Sequence, residues 1–281
     1  MATKVVVSFE SDKVSVVYGS AKGKNMVVQD TRTFSKEEFD SFLQKEKAKE
    51  FTVVCDFETF FSDVIYMPPV KGKFFMNILQ AEIKKKFTEL KEYTFLHTIL
   101  GEGVFEGKKK QEVFVFAVNN EDLFGILNKF SKYEKRVIHL IPSILSLSQT
   151  VTDSKEPVLC ITKSGINKYL FLLKDEKILF MRSAQGIDSG LHDFDVENIN
   201  MTINHSKQSL RIEPSHVILL GNACFEYDAK VGPIVPLICQ DYRPNVLASK
   251  ETIIKFMSAI VCLGVEKRLK NFLKKNNILP A

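Results

Sequence analysis

The sequence lacks the compact motifs that identify most enzyme classes. It contains no Gly-x-Ser-x-Gly, no His-Glu-x-x-His and no Walker-type phosphate loop. The five histidines are scattered, and His97 and His139 lie in apparent strands, where a core or half-buried role is favoured over catalysis. The sequence therefore offers no nucleophile or general base for an enzyme.

Cysteine is sparse, and its spacing suggests no pairing. The five cysteines are an odd number, show no Cys-x-x-Cys spacing and lie mostly in apolar runs. They are Cys55, Cys160, Cys224, Cys239 and Cys262. This pattern predicts reduced core thiols in a cytosolic protein, with neither disulfides nor a zinc site.

The chain also lacks long apolar runs and a strong charge of either sign. No run reaches the ~18 apolar residues of a membrane span, and the opening MATKVVVSF has no signal-peptide core, so we expect a soluble protein. The net charge of +5 combines 39 basic and 34 acidic residues. The lysine clusters at 84–86 and 108–110 are short, which favours solvated faces. A nucleic-acid-binding module that uses these lysines is the less favoured alternative.

The positive features are size and an internal repeat. A chain of 281 residues with 45% hydrophobic content can bury a sizeable core and form two packed lobes. Each half begins with three predicted strands, at 5–7, 14–18 and 26–33 and again at 158–161, 168–173 and 177–182. A helix and a strand follow each set, at 35–49 and 51–57 and at 195–212 and 216–223. The repeated order predicts a duplicated α/β lobe.

A mixed segment separates the two halves. Pro68 and Pro69 end a strand, after which helices are predicted at 74–87 and 120–134 around strands at 93–100 and 111–118. The stretch 136–151 then predicts a strand that leads into a helix near Pro142. This order predicts a small inserted α+β subdomain.

In this order the segments resemble the actin-like fold of actin, heat-shock chaperones and sugar kinases. Within it they resemble the type IV pilus assembly protein PilM and the cytoplasmic part of type II secretion protein L. MPPVKGKFFMNILQAEIKKKF is similar to the strand and helix that open the family's inserted subdomain, and RVIHLIPSILSLSQTV to a later strand and helix. SHVILLGNA stands where the family places its adenosine strand, and ASKETIIKFMSAIVCLGV is similar to its closing helix.

The resemblance implies an α/β fold, a duplicated actin-like (ribonuclease H-like) pair of lobes with an inserted small α+β subdomain. It implies a first lobe at 1–67 and 136–152, an inserted subdomain at 68–135, a reduced second lobe at 153–275, and a tail or docking peptide at 276–281.

The nucleotide signals of this fold are degraded. Actin-like ATPases typically use an Asp-x-Gly turn in each phosphate loop, because glycine lets backbone amides approach phosphate and the carboxylate organises magnesium. Ser8 and Glu10 stand in those places in the first turn, and Cys160 and Thr162 in the second. The adenosine loop is reduced to Gly-Asn-Ala at 221–223.

These losses predict that the protein neither hydrolyses nor tightly binds ATP, so no cofactor and no metal is expected. The alternative is a residual nucleotide site in which Lys13, Ser164 or Gly165 contacts phosphate beside Gly221. An active ATPase or small-molecule kinase with diverged loops is the rival function.

One acidic stretch is a further candidate for a metal site. Asp188, His192, Asp193 and Asp195 lie close together in the sequence and could hold a metal ion. Their position between a strand and a helix favours a solvated loop instead.

The resemblance further implies a non-catalytic scaffold on the cytoplasmic face of the bacterial inner membrane, in pilus or secretion assembly, with self-association as a further expectation. PilM-like proteins hold a short cytoplasmic tail of a membrane partner, with an Asn-Leu-Leu-Pro-like sequence, in a groove beside the inserted subdomain. Asn277, Ile278, Leu279 and Pro280 near the end of this chain resemble that peptide. Either these residues form a tethered docking peptide, or the chain is the cytoplasmic portion of a longer membrane protein.

An apolar strip at the subdomain junction is the predicted groove. Its residues are Tyr66, Met67, Phe74, Phe75, Ile78 and Leu79. Core packing is the default explanation for such residues. The adjacent Phe74 and Phe75 cannot easily both face inward, so one of them is expected to be left for a partner.

Overall fold

The computed structural model describes residues 3–22, 25–57, 60–86, 93–151, 155–175, 177–240 and 246–264. The strands in these ranges are β1 (Lys4–Phe9), β2 (Val14–Lys22), β3 (Asn25–Phe34), β4 (Glu50–Cys55), β5 (Phe60–Met67), β6 (Tyr93–Phe105), β7 (Lys108–Asn119), β8 (Arg136–Pro142), β9 (Val158–Ser164), β10 (Asn167–Lys174), β11 (Lys177–Gln185), β12 (His216–Leu219), β13 (Leu237–Cys239) and β14 (Val246–Leu247). The α-helices are α1 (Lys36–Lys45), α2 (Lys73–Lys86), α3 (Asn120–Ser131), α4 (Ser143–Ser148), α5 (Asp193–His205), α6 (Lys250–Lys255) and α7 (Met257–Cys262).

The two halves of the chain form sheets with the same strand order. Apart from the edge strand β14, which lies beside β3, the first sheet runs β3-β2-β1-β4-β8, and the second runs β11-β10-β9-β12-β13. In both, the first three strands are antiparallel neighbours and the last two join in parallel. Strands buried on both faces read as continuous apolar runs, which is why VVVSF and VLCI form the centres of the sheets. The predicted duplicated α/β fold is confirmed.

The inserted subdomain is a three-stranded sheet of order β5-β7-β6 between α2 and the main body. Alternation along the strands explains this position, because odd-numbered residues such as Ile65 and Val113 pack on Leu79 of α2. Even-numbered residues such as Phe114 and Phe116 join the main core. Since β5 pairs in this sheet, the pairing places 60–67 with the insert and not with the first lobe. The other domain boundaries stay predictions.

The chain returns to the first lobe at its described end. β14 pairs in parallel with β3, and α7 packs on β1, β2 and β4. The prediction of one closing helix over 248–265 is wrong, since Phe256, with φ −113° and ψ 24°, separates α6 from α7. No helix in the described part of the chain is both long and apolar enough to cross a bilayer.

One hydrophobic core runs through both lobes. The same buried cluster contains Val7 and Val54 of the first sheet, Phe171 and Ile218 of the second, and Ile260 of α7. Close-packed interiors resist relative movement of the parts that share them. The two lobes are therefore packed as one body.

Cys224 and Cys239 form a disulfide, with their Cα atoms 5.5 Å apart. The prediction of five reduced thiols is wrong for this pair. Parallel pairing of β12 with β13 brings the residues after β12 next to the end of β13, and no sequence spacing reveals that register. Cys55, Cys160 and Cys262 are buried free thiols.

Candidate functional site

The candidate site lies between the two sheets, where the β1–β2 and β9–β10 turns approach each other. The parallel ladder of β1 with β4 in the first lobe ends with Phe9 paired to Cys55. The parallel ladder of β9 with β12 in the second lobe ends with Ile161 paired to Leu219. Phe9 and Ile161 therefore occupy equivalent positions in the two lobes. The residues before them, Ser8 and Cys160, are equivalent, and so are the residues after them, Glu10 and Thr162. The structure thus places these four predicted residues at matching points of the repeat.

The two turns touch directly. The backbone N–H of Ser11 donates to Ser164 Oγ at 2.8 Å. Gly165 has φ +56°, and a Cβ there would lie 2.2 Å from Ser11 Oγ. Both the backbone conformation at 165 and the close approach of the other lobe therefore favour glycine there.

Glu10 introduces a negative charge at this junction. Its carboxylate lies 3.3 Å from Lys13 Nζ and accepts a hydrogen bond from Ser15 Oγ at 3.0 Å. Burial raises the pKa of Glu10, while Lys13 and Ser15 oppose the shift. Burial also disfavours the charged form of Lys13, but Glu10 and Asp12 outweigh it, so the pKa of Lys13 is raised.

The charges continue across the mouth of the cleft. Lys163 of β9 is buried and forms an ion pair with Glu226. Glu226 also attracts Lys13, which belongs to the other lobe. Acidic and basic side chains therefore alternate from Glu10 to Lys163 and join the lobes.

Asp56 is a central residue of the site that the sequence analysis missed. Its backbone N–H extends the β4 ladder by donating to Phe9 O at 2.9 Å, and its carboxylate accepts a hydrogen bond from Ser143 Oγ. Burial raises the pKa of Asp56 to about 7. Hydrogen bonds from Ser143 and Ser164 lower this pKa, and the nearby charge of Glu10 raises it further. An acid directly after the apolar run FTVVC, at the carboxyl end of a buried strand, was the available signal.

The space left between the lobes is small. The cavity volume is about 30 Å³, whereas small-molecule pockets typically measure ~300–1,000 Å³. It is lined by Glu10, Asp56, Ser143, Leu147, Thr162, Lys163, Gly221, Asn222, Ile254, Lys255, Met257 and Ser258. Helix α7 covers one side, with Ser258 Oγ 3.3 Å from Ser8 Oγ. The structure thus brings Ser8, Glu10, Lys13, Ser164, Gly165 and Gly221 together around one junction.

The predicted groove residues divide into core and surface. Met67, Phe75 and Leu79 are buried in the core of the insert. Phe74 is 60% exposed. Tyr66 stacks on Phe105 at a centroid distance of 4.5 Å.

Ile78 of the predicted groove and the predicted peptide residues remain to be placed. Ile78 is half-buried against the insert core. The predicted peptide residues Asn277, Ile278, Leu279 and Pro280 lie outside the described residues.

The acidic stretch at 188–195 serves local structure. His192 Nε2 lies 2.9 Å from Asp188 Oδ1, and Asp195 Oδ2 accepts from His192 N at 2.9 Å as part of a helix cap. Asp193 accepts from the backbone of Lys230 at 2.7 Å. Among the described residues, no three His, Cys, Asp or Glu side chains are grouped so that they could hold a metal ion.

Comparison with solved structures shows the fold. The chain is similar to a chain of the "PilM-PilN type IV pilus biogenesis complex", with TM-score 0.66, 13% identity and coverage of 92% of this chain and 97% of that one. It is similar to the cytoplasmic domain of EpsL, an inner membrane component of the type II secretion system of Vibrio cholerae, with TM-score 0.58, 9% identity and coverage of 95% and 96%. A Bacteroides thetaiotaomicron protein with actin-like ATPase fold and unknown function gives TM-score 0.52, 7% identity and coverage of 93% and 95%.

The predicted resemblance in fold is therefore confirmed: the chain has the actin-like fold. No family model matches the sequence, and no curated protein matches it either.

Proposed function

We propose that this protein is a non-catalytic actin-like scaffold in the assembly of a type IV pilus or a type II secretion system. It acts in the bacterial cytoplasm, peripheral to the inner membrane, where it binds the cytoplasmic tail of an inner-membrane protein. The support for this role is a fold shared over nearly the whole chain with a chain of the PilM-PilN complex and with the cytoplasmic domain of EpsL.

The contact between the two turns carries the non-catalytic part of the proposal. Actin-like nucleotide sites need backbone amides that face the phosphates. Here Ser11 N–H is already bonded to Ser164 Oγ, and the Glu10 carboxylate beside it would repel a triphosphate. The core shared by the two lobes and the cavity of about 30 Å³ between them support this part of the proposal.

The insert supplies the proposed docking strip, which we define as Phe74 and Ile78 of α2, because Tyr66 lies on the face of β5 that points away from α2. Phe74 and Ile78 are one helical turn apart on α2 and are the solvent-accessible helix residues of the predicted groove. An extended peptide with Ile-Leu before Pro offers two apolar side chains on opposite sides of its backbone, which suits such a strip. The partner's tail is therefore expected to contain a sequence similar to that at 277–280.

Peptide binding to the full-length chain tests this docking. A fluorescently labelled peptide with the sequence of residues 271–281 should bind saturably, and Phe74→Ser should weaken its binding at least tenfold. Phe124→Ser is the matched control, because Phe124 is 54% exposed on α3 of the same subdomain. Equal losses in both variants, or no binding to the wild type, would contradict the proposed strip. Deletion of 276–281 should raise the peptide affinity if the chain's own tail competes for the strip.

One observation favours the rival function of an active ATPase or small-molecule kinase. Asp56 lines the cavity, and its pKa of about 7 suits a general base. Nucleotide-dependent thermal stabilisation would support this rival. We rank it second because the hydroxyl groups of Ser143 and Ser164 already bond this carboxylate.

A further inference from the structure

The disulfide closes a surface loop of the second lobe. Cys224 ends the 3₁₀ turn Gly221–Cys224 that follows β12, and Cys239 ends the edge strand β13. The loop between them, 225–238, runs along α5. Asp193 holds it through Lys230 N at 2.7 Å, and Asn200 holds it through Ile234 N at 2.9 Å. These hydrogen bonds hold the loop on α5 at two points, and the disulfide fixes both of its ends.

The two sulfurs have different surroundings. Cys239 is exposed, whereas Cys224 is half-buried. Cys224 Sγ lies 3.3 Å from the carbonyl oxygen of Leu219. That oxygen can accept a hydrogen bond from a thiol, but a disulfide sulfur has no proton to donate. The site thus holds a partner that only the reduced form uses, so the structure accommodates both redox states.

The remaining thiols in the described residues do not share this accessibility. Cys55, Cys160 and Cys262 are buried free thiols. Burial raises the pKa of all three, which suppresses the reactive thiolate. Redox chemistry is therefore directed to the pair at 224 and 239.

We propose that Cys224 and Cys239 form a thiol–disulfide exchange site that a protein or small-molecule dithiol opens. This goes beyond the proposed scaffold function and does not depend on it. A thiolate of the dithiol attacks the exposed Cys239 sulfur, the bond between the two cysteines breaks, and Cys224 leaves as a thiolate that takes a proton from water. The second thiolate of the reagent attacks the mixed disulfide and releases Cys239. Two electrons pass to the protein, and the dithiol becomes a disulfide.

The disulfide lies close in sequence to a residue that contacts the cleft. Glu226, two residues after Cys224, is the ion-pair partner of Lys163, which lines the cavity. The backbone of Glu226 stays bonded through its carbonyl to Leu191 N at 2.7 Å. Reduction removes the covalent link between the ends of the loop and should loosen 225–238, while the bonds to α5 and to Leu191 keep the lobe folded.

Alkylation of the native full-length protein tests the site. After treatment with dithiothreitol without denaturant, iodoacetamide should label Cys224 and Cys239, as seen by peptide mass spectrometry, and neither should be labelled before treatment. Hydrogen exchange of 225–238 should become at least tenfold faster on reduction, with no change in β1 and β2. A pair that is labelled without reductant, or one that opens only in denaturant, would overturn the proposal.

Two single substitutions test the direction of attack. Cys224→Ser leaves the exposed residue Cys239 as a thiol, and Cys239→Ser leaves the half-buried residue Cys224 as a thiol. We expect an aromatic disulfide reagent to form a mixed disulfide with Cys224→Ser at least tenfold faster than with Cys239→Ser. Equal rates would overturn attack at Cys239. The alkylation experiment on the wild type needs no substitution, so it tests the exchange site even if a variant folds poorly.

Discussion

Replacing Asp56 with asparagine should stabilise the protein at pH 8 and remove much of its pH dependence. Burial raises the pKa of Asp56 from 3.8 to about 7 in the folded protein. The folded state therefore holds the proton more tightly than the unfolded chain does. For a carboxyl group with a raised pKa, the stability contributed by protonation is complete below pH ~4 and is lost as the pH rises towards about 7. Above that pH the wild type carries a buried charge that asparagine avoids.

The magnitude follows from the size of the shift. The pKa difference, 7 minus 3.8, is about 3 units, and each unit corresponds to ~1.4 kcal/mol, so the upper bound is about 4 kcal/mol. The side-chain oxygen of asparagine can still accept a hydrogen bond from Ser143 or Ser164. A gain of ~2–4 kcal/mol in the free energy of unfolding at pH 8 is the expected result.

Urea denaturation at pH 5, 6, 7 and 8 measures this effect. The wild type should lose stability across this range relative to Asp56→Asn, and the difference between the two should be smallest at pH 5, since it disappears only below pH ~4. Asp122→Asn, an exposed acid in the first turn of α3, is the control and should follow the wild type. Parallel pH profiles for the wild type and Asp56→Asn, or a less stable Asp56→Asn at pH 8, would refute the reasoning.

Five further substitutions test the junction and the insert by urea denaturation. Gly165→Ala should destabilise the fold by ~1–3 kcal/mol. Adding Ser11→Ala to the same chain should recover part of the loss, because it removes the hydroxyl that the new Cβ meets. If Gly165→Ala costs the same with and without Ser11→Ala, the two turns are not in contact. Ser164→Ala should cost ~1–3 kcal/mol because it leaves Ser11 N–H without its acceptor, so an unchanged unfolding midpoint would count against that bond. Leu79→Ala should cost ~2–5 kcal/mol and Phe74→Ser less than ~0.5 kcal/mol, and a reversed order would contradict the packing of α2.

The repeat was predictable because its strands are buried on both faces and read as uninterrupted apolar runs. The break at Phe256 was not, because ASKETIIKFMSAIVCLGV keeps helical periodicity through it. The cysteine pairing depends on the register of β12 with β13, which are separated by a long irregular segment.

The candidate site was only partly predictable. Ser8, Glu10 and Gly165 follow from the family's turn pattern, but their contacts depend on how the lobes pack. Asp56 becomes important only because the folded chain buries it and brings it within hydrogen-bonding distance of Ser164, 108 positions later in the sequence (164 − 56). Local sequence carries no record of such a distant neighbour.

Titration calorimetry of the full-length protein with ATP and magnesium tests the central claim most directly. If the lobes are joined where phosphates would lie, no saturable heat should appear at nucleotide concentrations up to the millimolar range. Magnesium-dependent binding with micromolar affinity, about −8 kcal/mol, would contradict the scaffold account.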